Sequence, residues 1–188
     1  VEDRTVLKKK LQFMLEGSAV QRFHTRAPLR PNTVGHHSNG VALICYMIWW
    51  GDNACLPRPH LILAACTHDL AEQVTSDVSA PAKRLLDIRD ILHLLENEKL
   101  ADHGMDFDRY LTEEELAALR MADLFDAMLL CCQEVAAGNK MMILPYRRMR
   151  EWVREVYTTL TPTMAELFMA IQEIMQEYRE EPTYDCFS

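Results

Sequence analysis

Apolar residues recur at three- and four-residue spacing along nearly the whole chain, and no stretch alternates apolar with polar residues between glycine-rich turns. That pattern restricts the chain to an all-α fold, because a helix buries a stripe whereas a half-buried strand buries every second residue. With 188 residues, 49% of them hydrophobic and only 6 Gly and 8 Pro, one helical domain can bury a sizeable core without staples. The expected architecture is a single bundle of about six or seven helices over residues 1–180, followed by a flexible tail, 181–188.

The first predicted helix runs from Asp3 as N-cap to Gly17 as its stop, with Leu7, Leu11, Met14 and Leu15 inward. A loop rich in Arg and Pro covers 18–35, and the second helix, about 36–50, places His37, Val41, Ile44 and Ile48 on one face. The third is the apolar run 61–67, continuing through His68-Asp69-Leu70-Ala71-Glu72. A fourth, from Pro81 to about Leu100, is expected to bury Leu85, Ile88, Leu92 and Leu95. The fifth opens at the capping box Thr112-Glu113-Glu114-Glu115 and stops at Gly138-Asn139, with Leu116, Leu119, Asp123, Ala127 and Leu130 in one stripe. Pro145 is expected to open the sixth, with Trp152, Val153 and Val156 inward. Thr161-Pro162 starts the last, whose stripe Met164, Phe168, Ile171, Met175 and Tyr178 also has the spacing of an oligomer seam.

A formal charge of −8 argues against nucleic acid or an anionic membrane as partner. The six cysteines (45, 55, 66, 131, 132 and 186) show no CxxC spacing, and Cys45, Cys66, Cys131 and Cys132 fall in apolar stretches, which reads as reduced core thiols in a cytosolic protein. No run reaches the roughly 18 apolar residues of a membrane span, and Val1-Glu2-Asp3-Arg4 has no signal-peptide layout. The expected setting is cytoplasmic.

Four titratable residues interrupt apolar surfaces: His37 on the second helix, His68 and Asp69 on the third, Asp123 on the fifth. Each is costly to bury alone, and a metal ion would satisfy all four. Two imidazoles with two carboxylates suit one divalent transition ion (Mn, Fe, Co, Ni or Zn) and leave positions open for water and substrate, with Mg as a candidate companion ion. Singly, a lone inward His is more often bonded to backbone and a lone inward Asp to Arg.

The order H…HD…D on separate helices resembles the HD-domain phosphohydrolases. The wider series Gln21-Arg22-Phe23-His24, Thr33-Val34-Gly35-His36-His37-Ser38, His68-Asp69-Leu70-Ala71-Glu72, Asp77, Pro81-Ala82-Lys83, Ala122-Asp123 and Ala136-Ala137-Gly138-Asn139 resembles the bacterial 5'-deoxynucleotidases of the YfbR-like family. It covers about residues 5–140 and is similar also to small phage HD enzymes that hydrolyse dATP. The resemblance implies His37, His68, Asp69 and Asp123 as metal ligands, Glu72 as general acid or base, Asp77 on the sugar hydroxyl, and Arg22 and Lys83 on phosphate. Arg30, in the same basic loop, is a candidate for additional phosphates, and Phe23 for stacking on the nucleotide. Two positions depart from the family pattern: Phe23 stands where Trp is common, and His36 where the bacterial enzymes have Glu. Consecutive helix positions point about 100° apart, which places His36 outside the ligand set.

The activity implied is hydrolysis of the 5' phosphoester of a 2'-deoxynucleotide, giving phosphate from a monophosphate or tripolyphosphate from a triphosphate. A dATP-specific triphosphohydrolase of the phage type is the alternative, and a catalytically inactive HD interaction module a weaker one. Cyclic-nucleotide phosphodiesterases need further metal-binding histidines, and after Asp69 only His93 and His103 occur. The partners implied are a small deoxynucleotide and further copies of the chain, as a dimer or a larger ring.

Overall fold

A computed structural model describes residues 3–23 and 27–179. Among these the fold is all-α: α1 Arg4–Ser18, α2 Val34–Asn53, α3 Pro59–Thr67, α4 Glu72–Thr75, α5 Ala80–Leu85, α6 Arg89–Asp102, α7 Glu113–Ala136, α8 Ile143–Glu155 and α9 Pro162–Arg179. Seven of these are nine residues or longer, as the periodicity predicts. The tail and His24 lie outside the described residues. No helix among them is long and apolar enough to cross a membrane.

The core is built around α7. Its start is fixed by the capping box, in which Thr112 Oγ1 accepts from the Glu115 N–H and Glu115 accepts from the Thr112 N–H. The Glu115 carboxylate is fully buried and gripped by the Arg58 guanidinium, which also donates to the Tyr110 carbonyl. That clamp ties the N-terminus of α3 to that of α7. Beyond it, Ala118, Leu119, Met121, Ala122, Phe125, Met128, Cys131 and Cys132 are buried on more than one side, so α7 is covered by several helices at once. Val41, Ile44 and Ile48 of α2, Leu61 and Ala65 of α3, and Met164, Phe168, Ile171 and Met175 of α9 meet it. The expected stripe of α9 therefore faces the core, with Tyr178 left exposed. Phe13, Val34, Leu70, Ala71, Leu100 and Met105 form a second, smaller cluster.

Several expectations are corrected. In α1 the inward residues are Phe13 and Gly17, whereas Leu7, Leu11, Met14 and Leu15 are exposed, Leu15 to 71%. Shape decides the orientation: Phe13 stacks on His103 at 3.9 Å, and a Cβ on Gly17 would lie 2.5 Å from the Leu70 carbonyl oxygen. Gly17 is thus a point of close approach, and the helix runs past it to Ser18. The fourth predicted helix is two, α5 and α6, parted at Asp87, whose φ of 52° no helix accommodates. Leu85 and Leu95 are exposed and only Leu100 of α6 is buried. The third ends at Thr67, whose hydroxyl lies within hydrogen-bond reach of the Leu63 and Met105 carbonyls, and a turn separates it from α4. Cys66 is exposed, and so is Trp152, while Val153 carries the buried side of α8. That helix starts at Ile143, with Pro145 inside its first turn, where a missing N–H breaks no intrahelical bond.

Candidate metal centre

The α1–α2 loop closes by a short antiparallel pairing: Gln21 bridges Thr33, the Arg22 N–H donates to the Asn32 carbonyl at 2.8 Å, and the Val34 N–H to the Val20 carbonyl at 2.9 Å. Thr33 then caps α2 by accepting from the His36 N–H, and His37 falls on the first buried turn. Its ring is 2% exposed. Nδ1 lies 2.6 Å from Asp126 Oδ2, and Nε2 lies 3.0 Å from Asp123 Oδ1 and 3.6 Å from Asp69 Oδ2. His68 and Asp69 sit on the turn after α3. There His68 Nδ1 donates to the Ala65 carbonyl at 2.9 Å, which leaves Nε2 aimed inward, 3.4 Å from Asp69 Oδ2.

One donor atom from each of His37, His68, Asp69 and Asp123 lies within 4.8 Å of the other three. Nε2 of both histidines is buried without a hydrogen-bond partner, although carboxylate oxygens are near. Orphaned imidazole nitrogens facing carboxylates are what a divalent cation satisfies, and the donor set fits a borderline transition ion. Asp123, its side chain 46% exposed, opens the cluster to solvent and to a ligand.

Around the four stand the other residues singled out from sequence. Arg22 is mostly buried, with Nη1 3.1 Å from Asp69 Oδ2 and Nη2 3.7 Å from Asp123 Oδ1. Glu72 is buried at the start of α4, one carboxylate oxygen without a partner. Burial pushes its carboxyl up to about 9, with the Asp69 charge adding and Arg22 and Lys83 opposing. Lys83, half-buried on α5, is thus within electrostatic reach of Glu72. Asp77 Oδ2 accepts the N–H of Phe23 at 2.9 Å, holding a residue whose φ is 56°. Arg30 stands apart: its side chain is exposed, and its backbone N–H donates to Glu134 at 3.3 Å. His36 is exposed, beside the Thr33 hydroxyl.

The sequence reading missed Asp126 and Glu134 and the task of Asn139. Asp126, one turn beyond Asp123, receives His37 Nδ1; burial pushes its carboxyl up to about 7, Arg22 opposing and Asp123 adding. The buried Glu134 accepts the N–H groups of Leu29 and Arg30, and Asn139 joins it to the Ala27 carbonyl, so the end of α7 pins the basic loop. Asn139 is legible in sequence as a helix stop and as part of the stretch Ala136-Ala137-Gly138-Asn139, without its link to Glu134. For Asp126 the available signal is a carboxylate spaced 3 from Asp123 on a helix whose partner carries glycine one turn after His37.

A family model described as 5'-deoxynucleotidase YfbR-like matches residues 11–178. The chain is 24% identical over 181 residues to a 5'-deoxynucleotidase of Pectobacterium atrosepticum, covering 84% of this chain and 91% of that one. It is 26% identical over 150 residues to 5'-deoxynucleotidase YfbR of Salmonella arizonae, covering 70% and 75%. Its fold is shared by an HD-domain phosphohydrolase from Listeria innocua (TM-score 0.69, 18% identity, 94% of this chain and 90% of that one). It is shared also by the cyanophage S-2L HD phosphohydrolase, solved bound to dA and one catalytic Zn2+ ion (TM-score 0.64, 16% identity, 94% and 98%).

Proposed function

Because the chain belongs to the YfbR-like 5'-deoxynucleotidase family, we propose that it is a metal-dependent phosphohydrolase cleaving the 5' phosphoester of 2'-deoxynucleotides. The observation that carries this reading is the convergence of His37, His68, Asp69 and Asp123 on one point, with both Nε2 atoms left unbonded. A divalent ion held by these four would supply Lewis-acid polarisation of the phosphoryl group and, by lowering the pKa of water, a hydroxide nucleophile at neutral pH.

The rest of the work falls to the chain's own side chains. Arg22, already poised over two ligand carboxylates, offers its guanidinium to the phosphoryl oxygens, whose charge grows toward the transition state; Lys83 adds a second cation. Glu72 is the proton carrier: burial raises its carboxyl and favours the protonated form, which can pass a proton to the departing 5' oxygen of the deoxynucleoside. Asp77 fixes the Phe23 backbone through one oxygen and presents the other to the sugar hydroxyl, so that the Phe23 ring flanks the nucleoside. Arg30, on the loop anchored by Glu134 and Asn139, is assigned to the outer phosphates of a triphosphate because its exposed cation is free to turn toward them. The five free cysteines among the described residues suit a reducing, cytoplasmic setting, and the exposed leucines of α1 suit assembly of more than one copy.

The test is to load the protein separately with Mn, Co or Zn and incubate it with panels of deoxynucleoside monophosphates, deoxynucleoside triphosphates and ribonucleoside triphosphates. Chromatography should show a deoxynucleoside with phosphate or tripolyphosphate. No turnover with any metal would end the enzymatic reading.

A further inference from the structure

The two histidines of the centre are held from behind by unlike groups. His68 Nδ1 meets a neutral acceptor, the Ala65 carbonyl at 2.9 Å, supplied by its own chain three residues back. His37 Nδ1 meets the Asp126 carboxylate, 2.6 Å away on another helix. A carboxylate on Nδ1 selects the tautomer with the proton on Nδ1, leaves the Nε2 lone pair for an ion, and makes the ring a stronger donor than a carbonyl does.

A second observation concerns the route by which Asp126 arrives. Gly40 lies one turn after His37, inside a 20-residue helix where glycine is an unfavourable choice. A Cβ there would lie 2.8 Å from the Asp126 Cγ and closer still to Oδ1. The carboxylate thus occupies the space of a side chain that position 40 lacks, and α2 gives up helix propensity at the one position that lets α7 reach His37 with an acid.

We infer that Asp126 is a positioning residue, aligning His37 Nε2 on the ion through the Nδ1–H bond, and that Gly40 is the gap this bond requires. The inference rests on the metal centre proposed above. It assigns a task to two residues outside the four ligands, and it predicts that altering either one weakens the metal in the same way.

The test uses zinc and the full chain. Zinc is titrated by competition with a chelator into metal-free wild type, Asp126→Ala, Asp126→Asn and Gly40→Ala, and each protein's fold is checked by circular dichroism and melting. Asp126→Ala and Gly40→Ala should each bind zinc about 10–100-fold more weakly. Asp126→Asn, whose amide oxygen still accepts from Nδ1–H without the charge, should fall between Asp126→Ala and wild type. In the zinc-loaded wild type, proton NMR should show a slowly exchanging, downfield His37 Nδ1–H, lost in Asp126→Ala; a purely structural role for Asp126 would not move that signal in a folded variant. If Asp126→Ala does not fold, the other two variants carry the same comparison. Folded Asp126→Asn and Gly40→Ala proteins with wild-type zinc affinity would overturn the inference, as would survival of the Nδ1–H signal in Asp126→Ala. Failure of the wild type itself to bind zinc would instead overturn the metal centre and the inference with it.

Discussion

His37 and Asp123 stand on α2 and α7, the two longest helices among the described residues, whose facing sides make up most of the core. Arg22, Phe23, Asp77 and Lys83 come instead from the α1–α2 loop, the link after α4 and the six-residue α5. The same centre is thus densely packed on the side proposed to hold a metal and lightly supported on the side proposed to meet a nucleotide. The exposed Leu85, Leu86, Ile91 and Leu94 mark how little packing backs that second side. Ligand geometry around an ion tolerates errors of about half an ångström, which only packed helices guarantee, whereas nucleotide recognition gains from parts that adjust on binding. His68, Asp69 and Glu72 lie at the junction, on the turn between α3 and α4.

The sharpest way to break this division is to remove the residue common to both sides. Asp69 faces His37, His68 and Arg22 together, so Asp69→Ala should abolish release of deoxynucleoside under every metal, and measurable residual turnover would mean that the metal side can be built without it. Next in size is Glu72→Gln, which should lower kcat by about 10²–10⁴-fold while zinc affinity stays near wild type. The same variant has a stability signature. The Glu72 carboxyl has a folded value near 9 against an ordinary 4.5, so its protonated form is the one the fold favours. That contribution is fully present below about 4.5 and is lost as the pH rises toward 9. Metal-free wild type should therefore melt progressively lower across that window, and Glu72→Gln should flatten the profile.

A third pair of substitutions weighs the two supports directly by urea unfolding. Phe125→Ala on α7 should cost about 3–5 kcal/mol. Leu95→Ala on α6 should change stability by no more than about 0.5 kcal/mol, and a large loss there would show that the outer helices are better packed than their exposure indicates. The smallest effect on activity is expected from Asp77→Ala. Releasing the Phe23 N–H should raise KM severalfold with zinc affinity untouched, and an equal loss of metal binding would erase the distinction between the two sides.

What could be read from sequence follows the same line. The capping box at Thr112 and the stripe of α9 are legible because each depends on spacing along one helix, and the four candidate ligands because each sets a titratable group into an apolar run. The supporting parts depend on groups far apart in the chain. The Thr67 hydroxyl at the end of α3 meets a carbonyl 38 residues away, and α1 turns Phe13 inward to meet His103. Asp126 becomes visible only once the crossing of α2 and α7 is known, since its meaning lies in His37 and Gly40. Leucine spacing on α1 fits more than one face, and the close approach at Gly17 selects between them.

The 24-residue α7 carries Glu115, Asp123, Asp126 and Glu134, which grip in turn the start of α3, the ligand cluster, His37 and the basic loop. Asp123 and Glu134 are separated by close to three whole turns, so they leave the helix within about 20° of one another. One residue inserted or deleted between them would swing every later side chain by about 100° relative to every earlier one. The chain can therefore change length freely near the turn at Asp87, but between 115 and 134 its residue count is as constrained as the identity of any ligand.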